Sequence, residues 1–454
     1  MITPTKPMPS IPSSPESAVR PQSRLQQIHS AISILLEGGK QKNTIAVLDG
    51  VRAIACLSVL FFHINFYARE TNIWRPIHDF GSVVGALALA GQSGVTLFFV
   101  LSGFLLFMPY AKSLLFQAPW PSLRLFYLRR GFRIIPAYYV TLFLMIVLFH
   151  QEYLKPQHLK DIWLFLTFFM DSPSTFQQID GPFWTLAVEA QFYMLLPLLA
   201  LGIGLIVRHG SMAWRTISIT LCLFALVAWG VLSRYWGHYY QWNPTQTFLS
   251  LPRSFIDTAL LFVYGNQGKY LEDFAIGMLI SCAYIYAQNT PADSRWNHFM
   301  RDVSPTLFGV ALLELFIMAL WHFNIWYYHY ALHFLDPLIH YYDWYSELFL
   351  ALGFGLFVLA ILFGHRNLKR PFAWSPLRWI GLISYSLYMW HVPLIAFFAN
   401  GFIKGLHGWH RSIEYGVLWG WVLAVILPVS FLSFLLIEKP FVRLGERLRR
   451  VVQV

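Results

Sequence analysis

Apolar runs dominate this chain, and short polar segments separate them. Runs near 46–67, 91–111, 132–150, 183–207, 214–234, 270–288, 304–323, 346–364, 378–400 and 415–437 each approach the roughly 17–25 residues that a helix needs to cross a bilayer. The pattern predicts an all-α polytopic membrane protein of about ten transmembrane helices. A shorter run, 161–170, reads as re-entrant or interfacial. The polar segments alternate in charge. The gap 112–131 carries Lys112, Arg124, Arg129 and Arg130 with no acid, and the gap 365–377 carries Arg366, Lys369 and Arg370 with no acid. The gap 324–345 has Asp336 and Asp343 and no Lys or Arg, whereas 151–182 is balanced. Basic loops lie on the cytoplasmic side, so both termini are expected inside.

Residues 1–43 are rich in Pro, Ser and Gln and read as a disordered basic cytoplasmic tail, with a short amphipathic helix expected over 25–37. No apolar core with a small-residue cleavage site marks this stretch as a secretory signal. Residues 44–442 form the expected transmembrane domain, and 443–454 a second basic cytoplasmic tail. Composition agrees: 57% of the 454 residues are hydrophobic and 12% are charged, about half the usual charged share of roughly 25%. The net charge of +11 sits in clusters between apolar runs, which suits anionic headgroups and not nucleic acid. Cys56, Cys222 and Cys282 all fall inside apolar runs and read as small buried hydrophobes.

Ionisable groups inside spans are functional candidates, because burying them unpaired costs several kcal/mol. Arg52 and His63 are eleven residues apart on the first span, so they face within roughly 20° of one direction and lie about 16 Å apart along the axis. Asp49 is placed to pair with Arg52 at i,i+3. The alternatives are a core histidine bonded to a neighbouring helix and an arginine that snorkels to the inner headgroups. Glu189 lies a turn or two inside the fourth span, with Trp184 and Tyr193 placed to donate hydrogen bonds to it; a structural pair with an arginine elsewhere is the alternative. Such a carboxylate would also orient His63. Arg130 and Arg133 sit one turn apart before a proline. Guanidinium forks match phosphate oxygens, although the charge bias of inner loops alone also produces arginines here. His391 lies mid-span beside Tyr388, and Ser102 lies in a small-residue block that reads first as helix packing. His322, His329, His333 and His340 lack matching carboxylates or thiols, so no metal site is expected.

Six blocks stand in order: Leu-Asp-Gly-x-Arg-Ala from Leu48 with His63 following, Phe-Phe-Val-Leu-Ser-Gly-Phe at 98–104, Arg-x-x-Arg-Ile-x-Pro-x-Tyr-Tyr at 130–139, Trp-x-Leu-x-Val-Glu-x-Gln-Phe-Tyr at 184–193, Tyr-Ser-Leu-Tyr-x-Trp-His-x-Pro at 385–393 and Ile-Glu-Lys-Pro at 437–440. In this order they resemble the membrane-bound acyltransferase-3 family, which includes bacterial O-acetyltransferases of surface polysaccharides. The resemblance implies ten core helices in the plasma membrane, and an acyl-CoA donor, most simply acetyl-CoA, taken from the cytoplasm as substrate with no resident cofactor. It implies transfer to a carbohydrate or lipid-linked hydroxyl, with His63 as base and Arg52 as donor-side cation. The chain has Ala190 where the family commonly has a second Glu, and Thr185 where it has Ser. No esterase-like domain follows the last span, so direct transfer or a partner is expected.

The combined expectation is an integral membrane O-acyltransferase. Arg52, Arg130 and Arg133 would hold the donor phosphates, His63 would deprotonate the acceptor, and Glu189 and Tyr193 would orient or charge-stabilise the site. The alternative is a proton-coupled transporter or exporter of a glycan or lipid, with His63 and Glu189 as the relay.

Overall fold

A computed structural model describes residues 45–73, 81–207, 210–327, 337, 342–402 and 409–452. Each of the ten predicted runs lies on a helix. They are α1 (Ala46–Glu70), α2 (Gly81–Ala90) continued through one tight turn into α3 (Gly94–Phe116), α4 (Leu123–Leu148), the short α5 (Leu159–Leu166), and α6 (Phe183–Val207). There follow α7 (Met212–Trp242), α8 (Arg253–Val263), α9 (Leu271–Gln288), α10 (Arg295–Tyr327), α11 (Tyr342–Phe363), α12 (Ser375–Leu382), α13 (Ser384–Gly401) and α14, continuous over Arg411–Arg450. Among the described residues eight helices are long and apolar enough to cross a membrane, nine if the bent pair α12–α13 is one span. The exception, α9, opens with Glu272 and Asp273, which lower its hydropathy although most of its residues are buried. The chain is a multi-pass membrane protein by this architecture.

Two sequence boundaries change. The third helix begins at Leu123, not near 132, so Arg124, Arg129 and Arg130 are helical and only 117–122 is loop. Ser122 caps that start by accepting a hydrogen bond from the Leu125 N–H at 3.4 Å, and long arginines are good helix formers whose heads reach the interface. The run 161–170 becomes the eight-residue α5, too short to span. The expected helix at 25–37 and three of the four clustered histidines, His329, His333 and His340, lie outside the described residues.

Close backbone contact organises the centre. α3 crosses α9 with glycine on both sides: a Cβ on Gly103 would lie 2.1 Å from the Phe274 carbonyl oxygen, and one on Gly277 would lie 2.1 Å from that of Val100. Small residues at a membrane helix crossing gain van der Waals contact that larger ones prevent. A second such contact joins α1 to the segment around α12, where Gly50 meets the Phe372 carbonyl and Gly381 meets that of Asp49.

Among the described residues, two buried ion pairs lie inside this core. Arg234 on α7 donates to Glu272 at 2.6 Å and 3.0 Å. Asp171, in the segment before α6, accepts from Lys269 and, at 3.0 Å, from Gln191 of the fourth block. Gln191 also donates to the Phe168 carbonyl at 2.8 Å. This knot pins residues 168–171 to α6 and to the start of α9.

Gly103→Ala forces α3 and α9 apart and should cost about 1–3 kcal/mol, as overpacking does. Thermal unfolding in detergent should show a lower Tm for this variant. Gly309→Ala, where nothing lies within 4 Å of the added carbon, should melt no lower than the parent.

Candidate active site

Four helices and the α12–α13 bend surround one cavity of about 770 Å³, its open mouth included. α1 contributes Arg52, α3 contributes Phe98 and Ser102, and α4 contributes Arg130 and Arg133. α6 contributes Thr185, Glu189 and Tyr193, which recur every four residues and so fall on one stripe. α13 contributes Ser384, Tyr385 and Tyr388. The chain turns by 73° between α12 and α13, and this turn sends the first residues of α13 into the cavity wall. Cys56 donates to the Ser384 carbonyl at 3.6 Å, which ties the bend to α1.

The cationic end is built from segments far apart in sequence. Arg52, Arg130 and Arg133 lie within electrostatic range of one another. Arg52 approaches Asp49 at 3.7 Å, and Asp49 also approaches Arg378 at 3.9 Å. Neither Arg130 nor Arg133 forms an ion pair with a carboxylate among the described residues. Arg130 instead lies 5.7 Å from the centroid of the Tyr193 ring, at cation–π distance. Tyr193 donates its hydroxyl to Glu189 Oε1, which also accepts from Ser102 Oγ at 2.7 Å. Glu189 therefore fixes Tyr193 beneath Arg130. The structure brings Glu189 to Ser102 and Tyr193 and not to His63.

Trp184 is not part of this wall. It lies five residues before Glu189, about 140° around the helix, and its ring packs against Phe176 and Tyr270 at centroid distances of 5.6 Å and 5.5 Å. His322 lies elsewhere, bonded to Gln92 at 2.8 Å and to Tyr342.

His63 sits beyond the far end of the cavity, paired with His391. Its Nδ1 is 2.9 Å from the Val59 carbonyl oxygen and 3.1 Å from His391 Nε2. His391 Nδ1 is 2.8 Å from the Tyr388 carbonyl oxygen. A carbonyl only accepts, so His391 Nδ1 carries a proton and its Nε2, in the neutral ring, accepts. His63 Nδ1 is then the donor, which leaves the lone pair of His63 on Nε2. The tautomer is assigned from this network. Tyr388 links the two regions: it lines the cavity, and its ring centroid is 5.5 Å from that of His391.

Three polar residues escaped the sequence reading as site candidates. Thr185 donates to the Pro182 carbonyl at 2.9 Å, so the 2.8 Å contact with Tyr388 is a bond donated by the phenol. Glu438 accepts from Ser386 at 2.9 Å and lies within electrostatic range of Arg133 and Arg52. It ends a widened turn, Phe434–Glu438, next to Pro440, whose missing N–H removes a helical hydrogen bond. The Ile-Glu-Lys-Pro block was the available signal. Asp180 is 3% exposed in the segment before α6; nothing in its sequence surroundings marks it.

An acyltransferase domain model matches residues 45–438. The chain belongs to the acyltransferase-3 family. It is similar to the putative peptidoglycan O-acetyltransferase YrhL of Bacillus subtilis, 26% identical over 423 residues, which are 88% of this chain and 55% of that protein. It is also similar to the peptidoglycan O-acetyltransferase OatA of Listeria monocytogenes, 26% identical over 365 residues, 77% of this chain and 49% of the relative. The O-acetyltransferase OatA of Staphylococcus aureus is 25% identical over 382 residues, 79% of this chain and 52% of the relative. The chain thus spans about half the length of these relatives. No solved structure matches it. All six blocks of this acyltransferase-3 chain contribute residues to the cavity or to the histidine pair beside it, or, for Ile-Glu-Lys-Pro, to the charges around its arginines.

Glu189→Gln retains an acceptor for Ser102 and Tyr193, whereas Glu189→Ala leaves two hydroxyls unsatisfied. Unmet buried groups cost about 1–3 kcal/mol each, so the alanine variant should melt below the glutamine variant. Thermal unfolding of the two variants side by side checks this order.

Proposed function

We propose that this protein is an O-acyltransferase of the bacterial plasma membrane. In this reading it moves an acetyl group from acetyl-CoA to a hydroxyl of a cell-envelope carbohydrate, of which peptidoglycan is favoured by the relatives' names. The observation that carries the reading is the junction at Tyr388: an arginine-bearing cavity on one side, and a histidine with a free ring lone pair on the other.

Arg52, Arg130 and Arg133 hold the phosphates of the donor at the end where the basic segments gather. Gly445 of the arginine-rich end of α14 packs on Phe132, and Arg378 reaches Asp49, so that end faces the cytoplasm in this reading. The donor's arm runs along the cavity toward Tyr388. His63 Nε2 takes the proton of the acceptor hydroxyl as its oxygen adds to the thioester carbonyl carbon. Collapse of the tetrahedral intermediate breaks the C–S bond, and the imidazolium returns the proton to the departing thiolate. His391 holds His63 in the tautomer that this step needs.

Purified protein in nanodiscs with labelled acetyl-CoA tests the reading. Wild type should consume the donor in the presence of acceptor, and His63→Ala should be slower by about 10²–10⁴-fold, the usual contribution of a general base. Arg52→Lys keeps a charge and loses the fork, so CoA binding should weaken by about tenfold or more. A His63→Ala variant that transfers at the wild-type rate, or a wild type that binds no CoA but couples solute movement to a proton gradient, overturns the assignment.

His391→Gln presents an amide oxygen toward the His63 Nδ1–H and an amide N–H toward the Tyr388 carbonyl, whereas His391→Ala presents neither. Transfer by the glutamine variant should exceed that by the alanine variant, measured in the same assay.

A further inference from the structure

The segment before α6 carries a buried carboxylate that no hydrogen bond explains. Asp180 is 3% exposed, and neither of its carboxylate oxygens has a hydrogen-bond partner. Its backbone is fully engaged: its N–H donates to the Gln178 carbonyl at 2.6 Å, and its carbonyl accepts from Phe183 at 3.1 Å. The backbone at Asp180 is therefore held by its own loop, while its carboxyl is left without a partner. That loop is anchored in turn by Asp171, Lys269 and Gln191. Buried polar groups are almost always satisfied, and burial holds this carboxyl well above the ordinary aspartate range.

The surroundings of Asp180 point to the histidine pair. Asp180 lies within electrostatic range of the phenols of Tyr67, Tyr138 and Tyr388. Tyr67 is one helical turn beyond His63 on α1, and Tyr388 is one turn before His391 on α13. A Cβ on the adjoining Gly181 would lie 3.9 Å from Val392, the neighbour of His391. Asp180 thus flanks the histidines, yet it is absent from the wall of the arginine-bearing cavity. Tyr138 is already committed, donating to the Phe165 carbonyl at 2.9 Å, and Tyr388 donates to Thr185. Of the three phenols, Tyr67 is the one with no side-chain hydrogen bond among those described.

We propose that Asp180, with Tyr67, binds the acceptor, accepting hydrogen bonds from a hydroxyl or amide N–H of a carbohydrate next to the hydroxyl that His63 deprotonates. A carboxyl held neutral by burial offers acceptor oxygens and one O–H donor, and sugar hydroxyls both donate and accept, so the two chemistries match. The tyrosine adds an apolar face on which a sugar ring packs. Donor and acceptor then approach the histidine pair from opposite sides, and neither has to leave before the other enters. This assignment rests on the acyltransferase reading above and names the acceptor side of the same site.

Full-length protein in nanodiscs, acetyl-CoA and an N-acetylglucosamine oligosaccharide as acceptor probe supply the test. Asp180→Asn preserves shape and replaces one carboxyl oxygen with an amide N–H donor. It should raise the KM for the oligosaccharide by about tenfold or more, the scale of a buried group left without its partner, with the Kd for CoA within about twofold of wild type. Tyr67→Phe should raise the same KM by a smaller factor with its thermal unfolding unchanged, which keeps the test open if Asp180→Asn does not fold. Wild-type acceptor KM in both variants overturns the role of Asp180 and Tyr67 and leaves a protonated structural carboxyl. A parallel loss of CoA binding in Asp180→Asn also overturns it, because a specific acceptor contact does not move donor affinity. A wild-type protein that neither binds acetyl-CoA nor acetylates the probe overturns the acyltransferase reading, and this inference with it.

Discussion

Guanidinium and imidazole groups inside an apolar bundle carry a desolvation cost of several kcal/mol, which hydrogen bonds, ion pairs or an open cavity offset. In this protein that cost falls on α1, which carries both Arg52 and His63. The helix is held at its Arg52 end by glycine contacts with the Phe372 and Asp49 carbonyls and in its middle by Cys56 against Ser384. Asp49 can then stand between Arg52 and Arg378, and His63 can meet His391. The 73° turn between α12 and α13 is what allows one stretch of chain to meet α1 at two depths. Without that turn, Arg378 and His391 would lie on one straight rod and could not both face the same helix.

The resulting site is one cavity with a histidine pair beside it. Arginines and the Glu189–Tyr193–Ser102 group line the cavity, with Glu438 in electrostatic range of its arginines, and His63 and His391 meet next to it. Tyr388 belongs to both, bonded to Thr185 through its hydroxyl and to His391 through its carbonyl. Under the proposed transfer from a thioester donor to a glycan, such a layout would let a shared aromatic residue stand between the two substrates and limit the access of water to the thioester.

Most of the helices were legible because hydropathy over about twenty residues reports the membrane directly. The misplaced start of α4 shows the limit: arginines at an interface count as loop in a hydropathy sum, yet they are comfortable in a helix with their heads at the surface. Arg52, His63, Glu189 and His391 were legible as ionisable groups inside predicted spans, and Arg130 and Arg133 as an arginine pair at the end of one. Which of them touch was not legible. His63 and His391 are 328 positions apart, and no periodicity reports a contact between helices. Trp184 was misread for a related reason: proximity in sequence to Glu189 was taken for proximity in space, and a five-residue step on a helix points elsewhere. Asp180 was invisible, because one aspartate between an isoleucine and a glycine is ordinary loop composition until its burial is known.

In the proposed mechanism, the partner of His63 decides what kind of base it would be. A carboxylate at Nδ1, as the sequence suggested for Glu189, would place a full negative charge beside the ring and favour the imidazolium at rest. In a bundle interior that arrangement also requires burying the carboxylate, and its counter-charge would be the proton the base is meant to be ready to accept. A neutral imidazole partner avoids both problems. It fixes the same tautomer through the same atom, adds no charge to the hydrocarbon region, and leaves the Nε2 lone pair free until an acceptor hydroxyl arrives. The carboxylate that sequence reasoning assigned to His63 is spent instead on Tyr193 and, through its ring, on Arg130, where a permanent positive charge gives it something to balance.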